Sequence, residues 1–190
     1  MQSAPEIEPV GHGIFIWRHY DAAIKAELFS TGLQTDSGIF LVDPIRLAPE
    51  TMTDWQGVAG VVVTNENHLR SAVEFAQRFR VPVYSASNPA AEIFDASGLT
   101  AVPIQGAATG EIALRWEASG GTIVMGDALI NFEPYGFTFL PAKYCSNFKL
   151  MRTSLATLLD YSFERILFAH GTPILSRARE RLEALLKARR

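Results

Sequence analysis

Apolar positions along the chain follow two alternating patterns. Short β-branched or aromatic runs at 14–17, 29–34 and 39–42, bounded by turn residues, predict strands. Thr35-Asp36-Ser37-Gly38 separates the last two, so they are expected to form a hairpin that ends at Asp43-Pro44. A helix is expected at 49–55. The uninterrupted apolar run at 58–64 then suits a strand covered on both faces. Leu69, Ala72, Val73, Ala76 and Phe79 recur at helical spacing, with Asn65 or Asn67 placed to cap the helix. Residues 81–85 predict the next strand and 89–94 a short helix.

A second block repeats the order. Strands are expected at 99–104, 111–117 and 122–125, the last two joined through Ser119-Gly120-Gly121. Leu150, Met151, Leu155, Leu158 and Leu159 mark a helix, 165–169 a buried strand, and Leu175, Ala178, Leu182, Leu185 and Leu186 a terminal amphipathic helix. Strand clusters that each give way to helices predict two sheets packed face to face with helices outside. No linker, low-complexity stretch or convincing repeat interrupts this order, so 1–190 is expected to be a single domain.

Composition narrows the class. A chain of 190 residues with 48% apolar and 19% charged residues excludes disordered, collagen-like and coiled-coil architectures. The single Cys145 cannot form an internal disulfide. The start Met1-Gln2-Ser3-Ala4-Pro5-Glu6 lacks a secretory pattern, and no apolar run is long enough to span a bilayer. A soluble cytoplasmic protein is expected. The net charge of −3 offers no field for nucleic acid or an anionic membrane. Arg177, Arg179, Arg181, Lys187, Arg189 and Arg190 near the end read as the solvated basic face of the last helix.

Three strand-end loops concentrate polar groups that a core does not require: Thr64-Asn65-Glu66-Asn67-His68-Leu69-Arg70, Gly126-Asp127, and His170-Gly171-Thr172-Pro173. Ligands gather at such strand ends in layered α/β proteins. Singly, Asn65 could cap a helix, Asp127 close a turn and His170 be a hydrogen-bonded histidine. Lys143-Tyr144-Cys145-Ser146-Asn147 could border the same pocket. Cys145 as nucleophile with His170 as base competes with the usual role of a free cysteine as a small buried apolar residue. His12 and His19 suit surface or core roles, and Trp17, Trp55 and Trp116 suit packing.

Taken in order, residues 38–44, 61–64, 106–114, 120–127 and 168–171 resemble the landmarks of the metallo-β-lactamase superfamily, which includes glyoxalase-II-type thioesterases and lactonases. The resemblance implies an α/β (α+β) fold, a four-layer αββα sandwich. It also implies a metal motif His-x-His-x-Asp-His directly after Thr64, but those four positions hold Asn65, Asn67, Leu69 and Arg70 here. The next ligand histidine of the family is replaced by Ala107. Asp127 and His170 retain the family's residue types, and His68 falls on a position that is not a ligand in the motif.

Catalytic zinc takes three protein donors and an open position, and amide oxygens suit it poorly. A guanidinium about 5 Å from a divalent ion would be repelled by on the order of 6 kcal/mol. The expectation is therefore loss of the dinuclear zinc site, no cofactor and no conventional zinc hydrolase activity. Arg70 is expected to point into the former metal pocket opposite Asp127. Asn65, Asn67, Arg70, Asp127 and His170 would then line a polar recess for a small anionic molecule, or simply satisfy one another. The alternative is a mononuclear metal-dependent hydrolase of the thioesterase or lactonase kind. It would use a single zinc or other divalent ion on Asp127, His170 and a third donor among His68, Glu66 and Asn67. A third possibility is a structural or oligomer-forming subunit. The ligand, the reaction and the oligomeric state stay open.

Overall fold

The structure, a computed structural model, describes residues 6–23, 25–52, 55–88 and 91–188. Residues 1–5, on which most of the reading of the amino terminus rests, lie outside these, as do Arg189 and Arg190 of the basic tail.

The first sheet takes strands in chain order: β1 (Glu8–Gly11), β2 (Ile14–Asp21), β3 (Ala26–Thr35), β4 (Gly38–Val42), β5 (Val58–Val62) and, after helix α1 (Ala72–Phe79), β6 (Val83–Tyr84). Strands β1 to β4 pair antiparallel and β4, β5 and β6 parallel. The β3–β4 hairpin closes with Thr35 opposite Gly38, and Thr35 Oγ1 donates to the Gly38 carbonyl at 2.8 Å. Helix α2 (Ala91–Ala96) leads to β7 (Leu99–Pro103), β8 (Ile112–Trp116) and β9 (Thr122–Met125). A separate hairpin follows, β10 (Leu129–Phe132) and β11 (Gly136–Phe139), then α3 (Phe148–Ala156), β12 (Arg165–Phe168) and α4 (Ala178–Lys187). The second sheet has the order β12-β9-β8-β7, with β12 parallel to β9.

Alternation along the strands explains the layers, because successive side chains of a strand face opposite ways. From the first sheet, Ile14, Ile16, Phe40, Val42 and Val62 meet Ile112, Leu114, Trp116, Val124 and Leu167 of the second in one buried cluster. The intervening Trp17, Ile39, Leu41, Val61 and Val63 pack under Ala72 and Phe75 of α1. On the far side Ile123, Met125, Ile166 and Phe168 pack against Met151, Leu155, Ala178 and Leu182 of α3 and α4. The arrangement is helix, sheet, sheet, helix, as expected.

Three local expectations change. The helix at 49–55 is a single 3-10 turn, Pro49–Met52, and residues 53–54 and 89–90 lie outside the described set. Asn65 caps a 3-10 turn, Glu66–His68, and α1 begins only at Ala72 behind Ser71, which makes no side-chain cap. Strands β1, β10 and β11 had not been anticipated. Strands β10 and β11 are four residues each and form a two-stranded hairpin outside both main sheets, so they carry little periodic signal. No described helix is long and apolar enough to cross a membrane.

Candidate metal centre

The parallel pairs β4–β5 and β9–β12 end at one edge of the sandwich, where backbone bonds tie the sheets together. Phe29 N donates to Ala169 O at 2.9 Å, and Ile112 N to Thr64 O at 2.8 Å. Asp43 follows β4 directly, while Thr64, Asp127 and His170 lie just beyond β5, β9 and β12. This brings together side chains that are far apart in sequence.

Asp43 is buried and has a left-handed backbone, φ 48°. Its Oδ1 accepts the Thr64 amide at 2.8 Å, and its Oδ2 accepts Thr64 Oγ1 at 2.5 Å and lies 3.0 Å from His68 Nδ1. The loop that follows is braced by Asn65 Oδ1, which accepts the Asn67 amide at 2.9 Å. The buried His68 ring then directs Nε2 at Asp127 Oδ1, 3.2 Å away, and the same oxygen lies 3.3 Å from His170 Nε2. Asp127 Oδ2 accepts Asn65 Nδ2 at 3.1 Å. That carboxamide also donates to the buried Glu111 Oε2 at 2.6 Å, and Glu111 Oε1 accepts the Ala128 amide at 2.9 Å.

The charges interlock. Burial alone would raise Asp43, but the charge and hydrogen bond of His68, the charge of Arg70 and the Thr64 bond hold it below the usual carboxylate value. Burial opposes an imidazolium at His68, yet the Asp43 charge and the bonds to Asp127 and Asp43 push it up to about 9. Asp127 is also disfavoured by burial, but the bonds and charges of His170 and His68 hold it well below the usual range. Burial, with the Asp127 charge adding, pushes Glu111 up to about 8 despite the Ala128 bond.

Among solved structures, DIM-1 metallo-beta-lactamase superposes with a TM-score of 0.73 at 13% identity, over 97% of this chain and 98% of that one. The fold is that of the metallo-β-lactamases. A metallo-beta-lactamase from Pontibacter korlensis gives a TM-score of 0.69 at 15% identity, over 97% and 100% of the two chains. FIM-1 from Pseudomonas aeruginosa in its mono-zinc form gives 0.68 at 13%, over 97% and 95%. No family model matches the chain and no curated protein matches it in sequence, so the likeness is one of fold.

On this metallo-β-lactamase scaffold, Asn65, Asp127 and His170 meet in one cluster and Asn67 does not join it: its side chain is exposed. Arg70, expected opposite Asp127, turns elsewhere. Its Nη1 donates to the carbonyls of Phe29 at 2.6 Å and Asp43 at 2.9 Å, and its Nη2 to that of Ala169 at 3.4 Å. With the Asp43 and Asp127 carboxylates it interacts through charge, and their negative charges partly offset the lowering of its pKa by burial. The backbone at Arg70 is left-handed, φ 38°, and this carries the side chain under the strand ends. The side chains that face Asp127 Oδ1 are His170 and His68, the latter at a position that is not a ligand in the motif. Ala107 is buried and cannot ligate; its carbonyl receives Ser146. Cys145 Sγ lies 3.7 Å from the Leu140 and Pro141 carbonyls and 3.6 Å from Met151 Sδ, and burial raises its thiol.

The roles of Asp43, Thr64 and Glu111 had been missed. The one local signal was Glu111 itself, a carboxylate at the start of the apolar strand Ile112–Trp116. Beside the loop opens a cavity of about 510 Å³ whose walls include Val63, Asn65, Glu66, Leu69, Ser85 and Thr109. Among the described residues no cationic side chain lines it.

Proposed function

We propose that the protein is a hydrolase of metallo-β-lactamase fold that uses one divalent transition-metal ion on His68 Nε2, Asp127 Oδ1 and His170 Nε2. The observation that carries this reading is the convergence of the three donor atoms within 4.8 Å of one another. Two imidazoles and a carboxylate are the donor types that zinc-like ions prefer. The two contacts of Asp127 Oδ1, at 3.2 and 3.3 Å, are longer than charge-assisted hydrogen bonds of about 2.7–2.9 Å. They match the roughly 3.3 Å that separates neighbouring donors around a tetrahedral ion with bonds of about 2.0–2.1 Å. The bond from His68 Nδ1 to Asp43 supports the same reading, since a carboxylate behind a ligating histidine fixes its tautomer and raises its basicity.

A bound ion would supply Lewis acidity and lower the pKa of a coordinated water. The chain's own groups do the rest. Asp43 and Thr64 orient His68, Asn65 holds Asp127, and Arg70 offsets the buried negative charge of Asp43. The mostly apolar cavity beside Asn65, with Glu66 the one charged side chain among its lining residues, suits the uncharged acyl part of an ester or thioester substrate.

A second reading is a metal-free recess for a small anion. The observation in its favour is the place of His68 between Asp43 and Asp127, 3.0 and 3.2 Å away, where the two carboxylates favour an imidazolium that would be a built-in cation. Elemental analysis of protein purified without chelator separates the two. One zinc, or another transition metal, per chain is expected, lost in His68→Ala and in Asp127→Ala. Protein that contains no metal and takes up none from added Zn²⁺ would overturn the hydrolase reading in favour of the second.

A further inference from the structure

Asp127 has two oxygens, and its surroundings treat them differently. Oδ1 faces the two imidazoles, whereas Oδ2 accepts Asn65 Nδ2 at 3.1 Å. The Asn65 carboxamide has one satisfactory orientation. Its oxygen accepts the Asn67 amide at 2.9 Å, and its nitrogen faces two carboxyl groups, Asp127 and, at 2.6 Å, Glu111 Oε2. Turned over, it would set oxygen against oxygen on one side and N–H against N–H on the other. Glu111 is fixed in turn, with Oε1 accepting the Ala128 amide at 2.9 Å. The space around that oxygen is full. A methyl carbon on Gly126 would come within 2.8 Å of Glu111 Oε1, 2.7 Å of Thr64 Oγ1 and 3.0 Å of Asn65 Nδ2.

We infer that Glu111, acting through Asn65, is a positioning residue that keeps Asp127 to one-oxygen coordination of a four-coordinate transition-metal ion. This rests on the single-ion reading above. An Asp127 with one oxygen committed to the Asn65 amide offers the ion a single donor. Each Glu111 oxygen accepts one N–H, Oε2 from Asn65 Nδ2 and Oε1 from the Ala128 amide. A glutamine at that position would therefore set an NH2 group against Asn65 or against the Ala128 amide and release the clamp.

Cobalt(II) added to the full-length metal-free chain is the probe, read by its visible absorption and by competition with a chromophoric chelator. The wild-type chain should give the intense band of four-coordinate cobalt. Glu111→Gln should lower Co²⁺ affinity by about 10- to 100-fold. It should also weaken the band several-fold, as the second Asp127 oxygen enters the coordination sphere. Asn65→Ala cuts the same link from the other end, is expected to shift the spectrum in the same way, and carries the test if Glu111→Gln does not fold. Folded variants with unaltered band and affinity would overturn the positioning role and leave the single-ion reading standing. A fall in affinity with an unaltered band would also overturn it, because general loosening of the loop produces that result. A wild-type chain that takes up no cobalt would overturn both.

Discussion

Arg70 combines a left-handed backbone with a buried guanidinium shared among the carbonyls of Phe29, Asp43 and Ala169, which are 41, 27 and 99 residues away in sequence. These carbonyls belong to both sheets, so the side chain fastens the edge on which the candidate centre is built. Hydrogen bonds from charged donors contribute about 1.5–3 kcal/mol each, and the Asp43 and Ala169 carbonyls keep other donors, Ser30 Oγ and the Phe29 amide. Arg70→Met should therefore lower stability by about 2–3 kcal/mol in urea denaturation and leave one metal per chain. An unshifted urea midpoint would show that these bonds contribute nothing. Position in the motif marked Arg70 for attention, but a side chain that ends on backbone carbonyls of distant strands leaves no trace in local sequence. The same holds for His68. Its ring direction follows from the Asn65-capped 3-10 turn and from Asp43, and neither is implied by its place in the motif.

At the level of elements, the strand-to-loop junctions set the geometry. Strand β12 delivers His170 because Ala169 N donates to Met125 O at 2.9 Å, which continues the pairing with β9, and the chain then turns at Gly171, φ 122°. Strand β10 packs against that turn: Asn131 N donates to His170 O at 3.2 Å and Thr172 N to Asn131 O at 2.9 Å. An added Cβ at Gly171 would lie 2.2 Å from the Asn131 carbonyl oxygen, contact with rigid backbone. Gly171→Ala is therefore expected to cost about 1–3 kcal/mol and to weaken zinc binding by displacing His170. Thermal melting and a zinc titration check this, and unchanged values of both would mean that the turn relaxes freely. The hairpin that makes this contact escaped the sequence pattern because its two short strands bury only part of their surface.

Across the whole molecule, the buried charges predict the pH dependence of stability in the metal-free protein. His68 rises from an unfolded value of 6.5 to about 9, so its contribution is complete below 6.5 and is lost as pH climbs through about 9. Glu111, raised from 4.5 to about 8, binds its proton more tightly when folded, so stability also falls as pH rises between those values. Asp43 and Asp127 act in the opposite sense. Both are lowered on folding, and their contribution is present above 3.8 and disappears as pH falls below it. Unfolding free energies from urea denaturation in chelator should therefore peak near about pH 4 and fall steadily between about pH 5 and 9. His68→Gln should flatten the alkaline decline, and a midpoint that climbs from pH 6 to 9 would contradict the assignment. Zinc should oppose the same decline, since an ion on Nε2 takes the place of the His68 proton.

By itself the sequence determined the layering. Strands covered on both faces must be apolar at both odd and even positions, and Ile39 and Leu41 against Phe40 and Val42 state that requirement within five residues. It also showed that the positions at which the family resemblance implies histidine and aspartate ligands hold Asn65, Asn67, Leu69 and Arg70, because the residue type at a position is a local fact. Only the tertiary structure decided which polar groups meet. Asp43, His68, Glu111, Asp127 and His170 come from separate strand ends, and contact between them depends on register, on two left-handed residues and on how the two sheets abut at one edge. Hydrophobic periodicity records burial one element at a time. Coordination geometry is a property of several elements at once, and so it appears only when they are packed together.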